Sequence, residues 1–180
     1  LVANLALFVT LAGDPQRGWQ LAEPLLELGP SAALIRGAVS ASTALGHLGR
    51  VDDAAKVLDR ALATLGIIGI EATGLSQRVT AATRAGTNCW RGDLPAAWAD
   101  TETALHSAVS EFQISAANYA STGLHILAGR PSKALPLMER AIEWYGRTNG
   151  GSTEYRWMLA RLALVHANAG NPDLAERALV

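Results

Sequence analysis

One turn recurs along this 180-residue chain, and its clearest copy reads Leu48-Gly-Arg-Val-Asp-Asp-Ala54. An apolar helical pattern ends at the glycine, and a second amphipathic pattern follows it. Glycine readily adopts the left-handed conformation that caps a helix, and an aspartate at the next helix start can accept hydrogen bonds from free backbone N–H groups. The segment is therefore typical of the turn in a helical hairpin.

The same turn occurs five times, at spacings of 36, 43, 37 and 41 residues between its glycines. The turn glycines are Gly13, Gly49, Gly92, Gly129 and Gly170. Five residues after each one stands glycine or alanine, and seven residues before it stands alanine, serine or threonine. Such small residues let two paired helices approach closely. We predict a single domain, 1–180, built of five hairpins at about 1–30, 31–71, 72–110, 111–150 and 151–180.

The composition favours helices throughout. Hydrophobic residues make up 49% of the chain, charged residues 17%, and 34 residues are alanine. These values exclude a disordered chain, and no alternation of period two persists long enough to predict a strand. The predicted first helices lie near 1–12, 31–48, 72–91, 112–128 and 152–169. The predicted second helices lie near 15–28, 51–65, 94–109, 132–147 and from 172 onward.

The second copy, Ala44-Leu-Gly-His-Leu-Gly-Arg-Val-Asp-Asp-Ala-Ala-Lys-Val-Leu-Asp-Arg-Ala-Leu62, resembles the tetratricopeptide repeat (TPR) family. In that family the two helices of a repeat meet through small residues, and the turn has the pattern glycine, aspartate and an apolar residue. The resemblance extends over the whole chain. It implies an all-α fold, a right-handed superhelix (solenoid) of about five TPR-like hairpins, and a role in binding proteins.

A narrower resemblance concerns Trp90-Arg-Gly-Asp-Leu-Pro-Ala-Ala-Trp-Ala-Asp100 and the later Ala128-Gly-Arg-Pro131. These phrases are similar to the repeat region of large ATP-binding transcriptional regulators of the LuxR type. This resemblance implies a signal-receiving or oligomerising arm, with DNA binding and nucleotide hydrolysis performed elsewhere. We accordingly expect the sequence to be a fragment of a longer protein. The alternative is a TPR scaffold or assembly protein unrelated to transcription.

The charge pattern and motifs give no indication of chemistry in the chain itself. The formal net charge is -1, so no basic surface for nucleic acid or an anionic membrane is expected. Neither Lys56 nor Lys133 ends a glycine-rich phosphate loop. We therefore predict a protein that is not an enzyme and has no cofactor or metal. The lone Cys89 and the lack of a leader or membrane span favour a cytoplasmic location.

For three sets of residues, the sequence allows both a functional and a structural interpretation. His125 and His166 stand at the same place in successive repeats, and they form either a shared site or part of a helix-pair interface, the second being favoured. Cys89 is interpreted as a small core residue rather than a nucleophile. Glu139 and Glu143, one helical turn apart, are interpreted as a solvated face rather than an acid/base pair.

The first helices of stacked hairpins line a concave wall. Under the TPR resemblance, residues thirteen, ten, six, three and two positions before each turn glycine face that wall. The count includes Thr10 and Val39, and it gives a candidate partner-binding surface of Arg36, His47, Trp90, Tyr119, Ile126 and Trp157. Aromatic anchors on such a wall are typical of peptide or helix binding. The occupant is either a separate protein or peptide, or another domain of the same chain.

Overall fold

The structure, a computed structural model, describes residues 1–68, 75–106, 108, 111–149 and 153–179. Within these ranges it contains ten α-helices and one 3₁₀ segment, and no strand. The helices are α1 (Val2–Leu11), α2 (Pro15–Ala22), α3 (Ala32–His47), α4 (Val51–Ile67), α5 (Leu75–Arg91), α6 (Leu94–His106), α7 (Glu111–Leu127), α8 (Pro131–Asn149), α9 (Thr153–Asn168) and α10 (Pro172–Arg177). The all-α prediction is confirmed.

All five predicted turn glycines have a positive φ, between 67° and 100°. Each follows the first helix of a pair, where an L-residue with a side chain would be strained. Asp14 accepts a hydrogen bond from the Arg17 amide, and Asp93 accepts one from the Ala96 amide, so two of the expected helix caps are present. The predicted hairpin boundaries at 71/72 and 150/151 lie outside the described residues, as does residue 110.

The second helix of the first hairpin is shorter than predicted. It was expected to run from 15 to 28, but α2 ends at Ala22 and a 3₁₀ segment, Glu23–Glu27, follows. Pro24 lies at the start of that segment and has no N–H to donate to the preceding turn. The chain therefore tightens to 3₁₀ geometry at this point.

The paired helices approach closely through their small residues, as predicted. Ala6, Ser42, Ala54, Ala85 and Ala97 are each fully buried. On α2, Gly18 leaves no room for a methyl group, because a Cβ there would lie 1.9 Å from the Thr10 Oγ1 atom and 2.9 Å from the Ala6 carbonyl oxygen. Side-chain volume at these positions sets how closely each pair can pack.

The chain divides into two compact units, which we call the N-terminal unit (Leu1–Thr103) and the C-terminal unit (Ala104–Val180). In the N-terminal unit, α3 is the central helix, since it contacts α1, α2, α4 and α5. An apolar cluster that includes Leu34, Ile35 and Leu65 forms its core. In the C-terminal unit, the apolar core includes Met138, Met158 and Val165.

Candidate functional site

The candidate site is the surface formed by the first helix of each hairpin. In the N-terminal unit, α1 packs against α3 and α3 packs against α5. In the C-terminal unit, α7 packs against α9. We call these two regions the N-terminal and the C-terminal first-helix surfaces, and we describe each by itself.

The N-terminal first-helix surface holds an aromatic pair at the ends of α3 and α5. The rings of His47 and Trp90 meet edge to face, with centroids 5.8 Å apart and planes at 76°. Trp90 also lies across Gly46, where a Cβ would come within 1.8 Å of the indole ring. Half of the Trp90 surface, 50%, remains exposed. The lack of a side chain at Gly46 thus lets the Trp90 indole pack against α3 while half of its surface stays exposed.

The surroundings of His47 disfavour its charged form. Burial lowers its pKa below the usual value of 6.5, because a partly desolvated imidazolium ion is disfavoured. The His47 ring adds apolar area beside Trp90. We call Gly46, His47 and Trp90 together the Trp90 patch.

Arg36 is exposed on the same helix as His47 but at its other end. Eleven residues separate the two, which corresponds to about 16 Å along the helix axis. The structure therefore brings His47 and Trp90 together and leaves Arg36 apart from them.

The C-terminal first-helix surface contains the other three predicted residues. Tyr119 and Ile126 of α7 are half-buried and pack against the apolar core of this unit. Trp157 of α9 is also half-buried. These side chains support the packing of the unit and show only part of their surface to a partner.

Other residues of the predicted wall, Thr10 and Val39 among them, are buried. Thr10 is 1% exposed, because its hydroxyl donates to the Ala6 carbonyl and Gly18 of α2 packs directly on it. Val39 is buried because α3 has neighbouring helices on several sides. The placement of both residues on an open wall was wrong.

The α5–α6 pair has a polar interior. Asp100 is buried and accepts hydrogen bonds from the Arg84 Nε and Nη2 atoms and from the Asn88 side-chain amide. Arg84 also pairs with Asp59 of α4 at 3.9 Å. The hydrogen bond to Asp100 raises the pKa of Arg84 above its usual value. This network ties three helices together, and the sequence gives no signal for it beyond the residue types.

The histidines fit the helix-pair interpretation. His166 is buried and His125 is half-buried. Burial, followed by the positive charges of Lys133 and Arg130, lowers the pKa of His125. In the described part of the chain, no group of three or more His, Cys, Asp or Glu side chains is placed to hold a metal ion.

Cys89 is half-buried rather than a fully buried core residue. Glu139 and Glu143 are exposed on α8, as predicted for a solvated face.

Sequence reasoning did not single out Arg161 of α9. Its guanidinium group lies over the Tyr119 ring, 4.4 Å from the centroid, and its Nη2 atom donates to the Tyr119 hydroxyl at 3.1 Å. The two residues are 42 positions apart, so no local pattern could reveal the contact.

Comparison with solved structures identifies the architecture. Over 99% of its length the chain is similar to BtubC (BKLC) from P. vanneervenii, with a TM-score of 0.69, 18% sequence identity and 75% of that chain covered. The fold is that of a TPR-like solenoid. Two crystal structures of a kinesin light chain-like protein from Podosopora anserina, with nearly identical TPR-like repeats, match 99% of this chain at 15% identity. Their TM-scores are 0.65 and 0.63, with 89% and 90% of those chains covered.

These similarities establish the fold and confirm the TPR-like prediction. No protein-family model and no curated protein matches the sequence. Among the described helices, none is long and apolar enough to cross a lipid bilayer.

Proposed function

We propose that this chain is a protein-interaction module that binds extended or helical peptides on the first-helix surface of each unit, with Trp90 as the main anchor in the N-terminal unit. The observation that supports this proposal is the half-exposed indole, which rests on Gly46 and is edged by His47. Rigid aromatic side chains that show apolar area and lose little entropy are frequent hot spots of protein interfaces. TPR-like folds are generally protein-binding modules, which agrees with this assignment.

Arg36, Tyr119, Ile126 and Trp157 complete the proposed binding residues. Arg36 supplies an exposed positive charge toward the far end of α3. The other three contribute half-buried apolar area in the C-terminal unit. In this proposal the chain performs no catalysis and needs no cofactor or metal, because its binding surfaces act by shape and apolar contact.

The finer proposal is that the chain is the sensing arm of a multidomain, cytoplasmic, ATP-binding regulator of the LuxR type. The turn Trp90–Asp100 and the later Ala128-Gly-Arg-Pro131 support this assignment. Binding of a protein, or release of another domain of the same chain, would shift the repeats between two arrangements and relieve autoinhibition of distant domains. Only a partner with different affinity for the two arrangements can produce that shift. DNA and ATP would be bound by those other domains.

The complete reading frame tests the finer proposal. The regulator assignment predicts a helix-turn-helix region on the C-terminal side and a phosphate-binding loop on the N-terminal side. A complete frame with neither feature favours the alternative, a TPR scaffold unrelated to transcription. The isolated chain is expected neither to retard DNA nor to bind ATP, and either activity would contradict the assignment.

Substitution of Trp90 tests the interaction surface. Peptides are first selected from a displayed random library on the immobilised chain, and binding of one fluorescently labelled peptide is measured by anisotropy. Trp90→Ala is expected to weaken binding about 10-fold or more, since truncation of a hot-spot aromatic costs at least that much. Gly46→Ala keeps the indole but displaces it, so a similar loss is expected.

Ile67→Ala is the matched control, because Ile67 is 70% exposed at the end of α4, outside the first-helix surface. Unchanged binding is expected for this variant. Equal binding by wild type, Trp90→Ala and Gly46→Ala would show that the Trp90 patch is not the anchor. Trp157→Ala is expected to weaken peptide binding clearly while it lowers the melting temperature only slightly. A large drop in melting temperature with unchanged binding would make Trp157 a core residue only.

A further inference from the structure

The first helix of the structure, α1, has an apolar face that no other described element covers. Its large apolar side chains stand twelve, eleven, eight and five positions before the turn glycine Gly13, and all are exposed: Leu1, Val2, Leu5 and Phe8. We call these four residues the leading face. No charged residue precedes Asp14, so the face is uniformly apolar. A contiguous exposed apolar patch of this kind marks an interaction surface.

The later repeats show what normally covers this side of a first helix. Phe8 is 60% exposed, whereas the residues at its position in the four later repeats are all fully buried: Ala44, Thr87, Leu124 and Val165. Gly37 of α3 stands at the position of Leu1, and a Cβ there would lie 2.5 Å from the Cβ atom of Leu25 in the first hairpin. This side of a first helix therefore packs against the preceding hairpin.

The last hairpin, α9–α10, exposes the opposite side of the same kind of interface. Leu179, nine positions after Gly170, is 66% exposed, whereas the residues at its position in the four earlier repeats are at most 1% exposed: Ala22, Leu58, Thr101 and Met138. Leu164 of α9 is also exposed, and it stands at the position of Gly123, where a Cβ would lie 2.8 Å from Arg161 of the following hairpin. We call Leu164 and Leu179 the trailing face.

Inside the chain, the positions of these two faces pack together. The core of the N-terminal unit joins Ala22, at the position of Leu179, with Ala38 of the next hairpin, at the position of Val2. The core of the C-terminal unit joins Met138 with Val165 in the same way. A trailing face and a leading face are therefore the two halves of an interface that the chain already forms between its own hairpins.

We propose that this chain associates with itself head to tail, so that the trailing face of one copy packs on the leading face of the next. The occupant of the leading face is a second copy of this chain, and the contact continues the stacking of hairpins found within each unit. The interaction goes beyond the proposed peptide binding and uses no residue of the Trp90 patch. A head-to-tail contact leaves one face free at each end, so assembly continues past a dimer.

Sedimentation velocity of the 180-residue chain tests this contact. The wild type should form species larger than a dimer as its concentration rises. Phe8→Glu places a charge in the leading face, and Leu179→Glu places one in the trailing face, so each variant alone should remain a monomer. An equimolar mixture of the two should form a dimer and nothing larger, because each variant keeps the face that the other has lost.

Ile67→Glu is the matched control, because Ile67 is 70% exposed and belongs to neither face. This variant should assemble like the wild type. Phe8 and Leu179 are already exposed in a single copy, so the circular dichroism spectrum and the urea midpoint of both variants should match those of the wild type. Leu5→Glu and Leu164→Glu repeat the test with a second residue of each face and should give the same result.

The other results each overturn the proposal. A wild type that stays monomeric at every concentration has no second copy on its leading face. A wild type that stops at a dimer, or self-association of Leu179→Glu alone, would indicate a symmetric contact between two leading faces instead. A mixture of Phe8→Glu and Leu179→Glu that stays monomeric would show that the two faces do not bind each other.

Discussion

At Gly18, a single added methyl group would collide with the neighbouring helix. Its Cβ would meet the Thr10 hydroxyl at 1.9 Å and the Ala6 carbonyl oxygen at 2.9 Å. The second contact is with backbone, which cannot rotate away as a side chain can. The repeat therefore requires a small residue at this place, because its lack of volume allows the two helices of the hairpin to pack together.

Gly18→Ala is expected to destabilise the fold by about 1–3 kcal/mol, because the overpacking outweighs the better helix propensity of alanine. Gly86→Ala is the control, since a Cβ at Gly86 of α5 meets no atom within 4 Å. It should stabilise the fold by about 0.5–1 kcal/mol. Urea denaturation measures both changes. A neutral or stabilising result for Gly18→Ala would mean that α1 and α2 are further apart than the structure shows.

Two histidines give the fold a pH dependence whose sign follows from their pKa values. The pKa values of His47 and His125 are lowered in the folded state. As the pH falls through about 6.5, the unfolded chain takes up protons that the folded chain does not. The melting temperature should therefore be lower at pH 5.5 than at pH 7.5. The Asp53 carboxyl, with its pKa lowered by Arg50, exerts its effect only below about pH 4, outside this window.

The double variant His47→Gln/His125→Gln should show a smaller drop in melting temperature between pH 7.5 and pH 5.5 than the wild type. Thermal unfolding followed by circular dichroism provides the comparison. Stabilisation of the wild type on acidification, or an unchanged drop in the double variant, would assign the pH dependence to other groups.

At the scale of elements, the α5–α6 pair differs from the other hairpins in what fills its interface. The buried set on these helices includes Thr87, Asn88, Asp100 and Thr101 among alanines. The described members of the two apolar clusters lie on other helices. Hydrogen bonds and an ion pair thus replace apolar volume in this hairpin, so each polar group there needs a partner.

Removal of the Asp100 carboxylate should show how far the hairpin depends on these polar contacts. Asp100→Ala is expected to cost about 1–3 kcal/mol, because it leaves the Asn88 amide unpaired and Arg84, which is only partly exposed, without its main partner. Glu139→Ala, an exposed carboxylate on α8, should change stability by less than about 0.5 kcal/mol. Thr101→Val should instead stabilise by about 1 kcal/mol, since the buried Thr101 hydroxyl has no hydrogen-bond partner among the described residues. Urea denaturation with all three variants at one pH makes the comparison, and a stable Asp100→Ala variant would contradict it.

Local signals in the sequence were sufficient to predict the elements themselves. The turn glycines, the small residues around them and the apolar periodicity depend on neighbours within one hairpin, so they appear as regular spacings. Pro24 carries a similar local signal, since it has no N–H to donate to the preceding turn. Thr10 and Val39 were misplaced because their burial depends on which helices surround them. The Asp100 network and the stacking of Arg161 on Tyr119 depend on long-range contacts, which no spacing in a single sequence reveals.

At the scale of the whole molecule, the chain consists of repeated hairpins in two compact units, each with its own apolar core. In such repeat proteins most contacts join neighbouring repeats, so part of each first helix remains available for binding within its unit. In the N-terminal unit, the half-exposed Trp90 is the side chain best placed to contact a partner. A peptide partner is therefore expected to lie along the first helices.

Backbone amide NMR mapping of one selected peptide tests that expectation most directly. The signals that shift should belong to the first helices, led by residues at the end of α3 and the end of α5, while the exposed faces of α4 and α8 stay unchanged. Shifts concentrated on α4 and α8, with the signals around Trp90 unaffected, would contradict the assignment of the first-helix surfaces as the binding site.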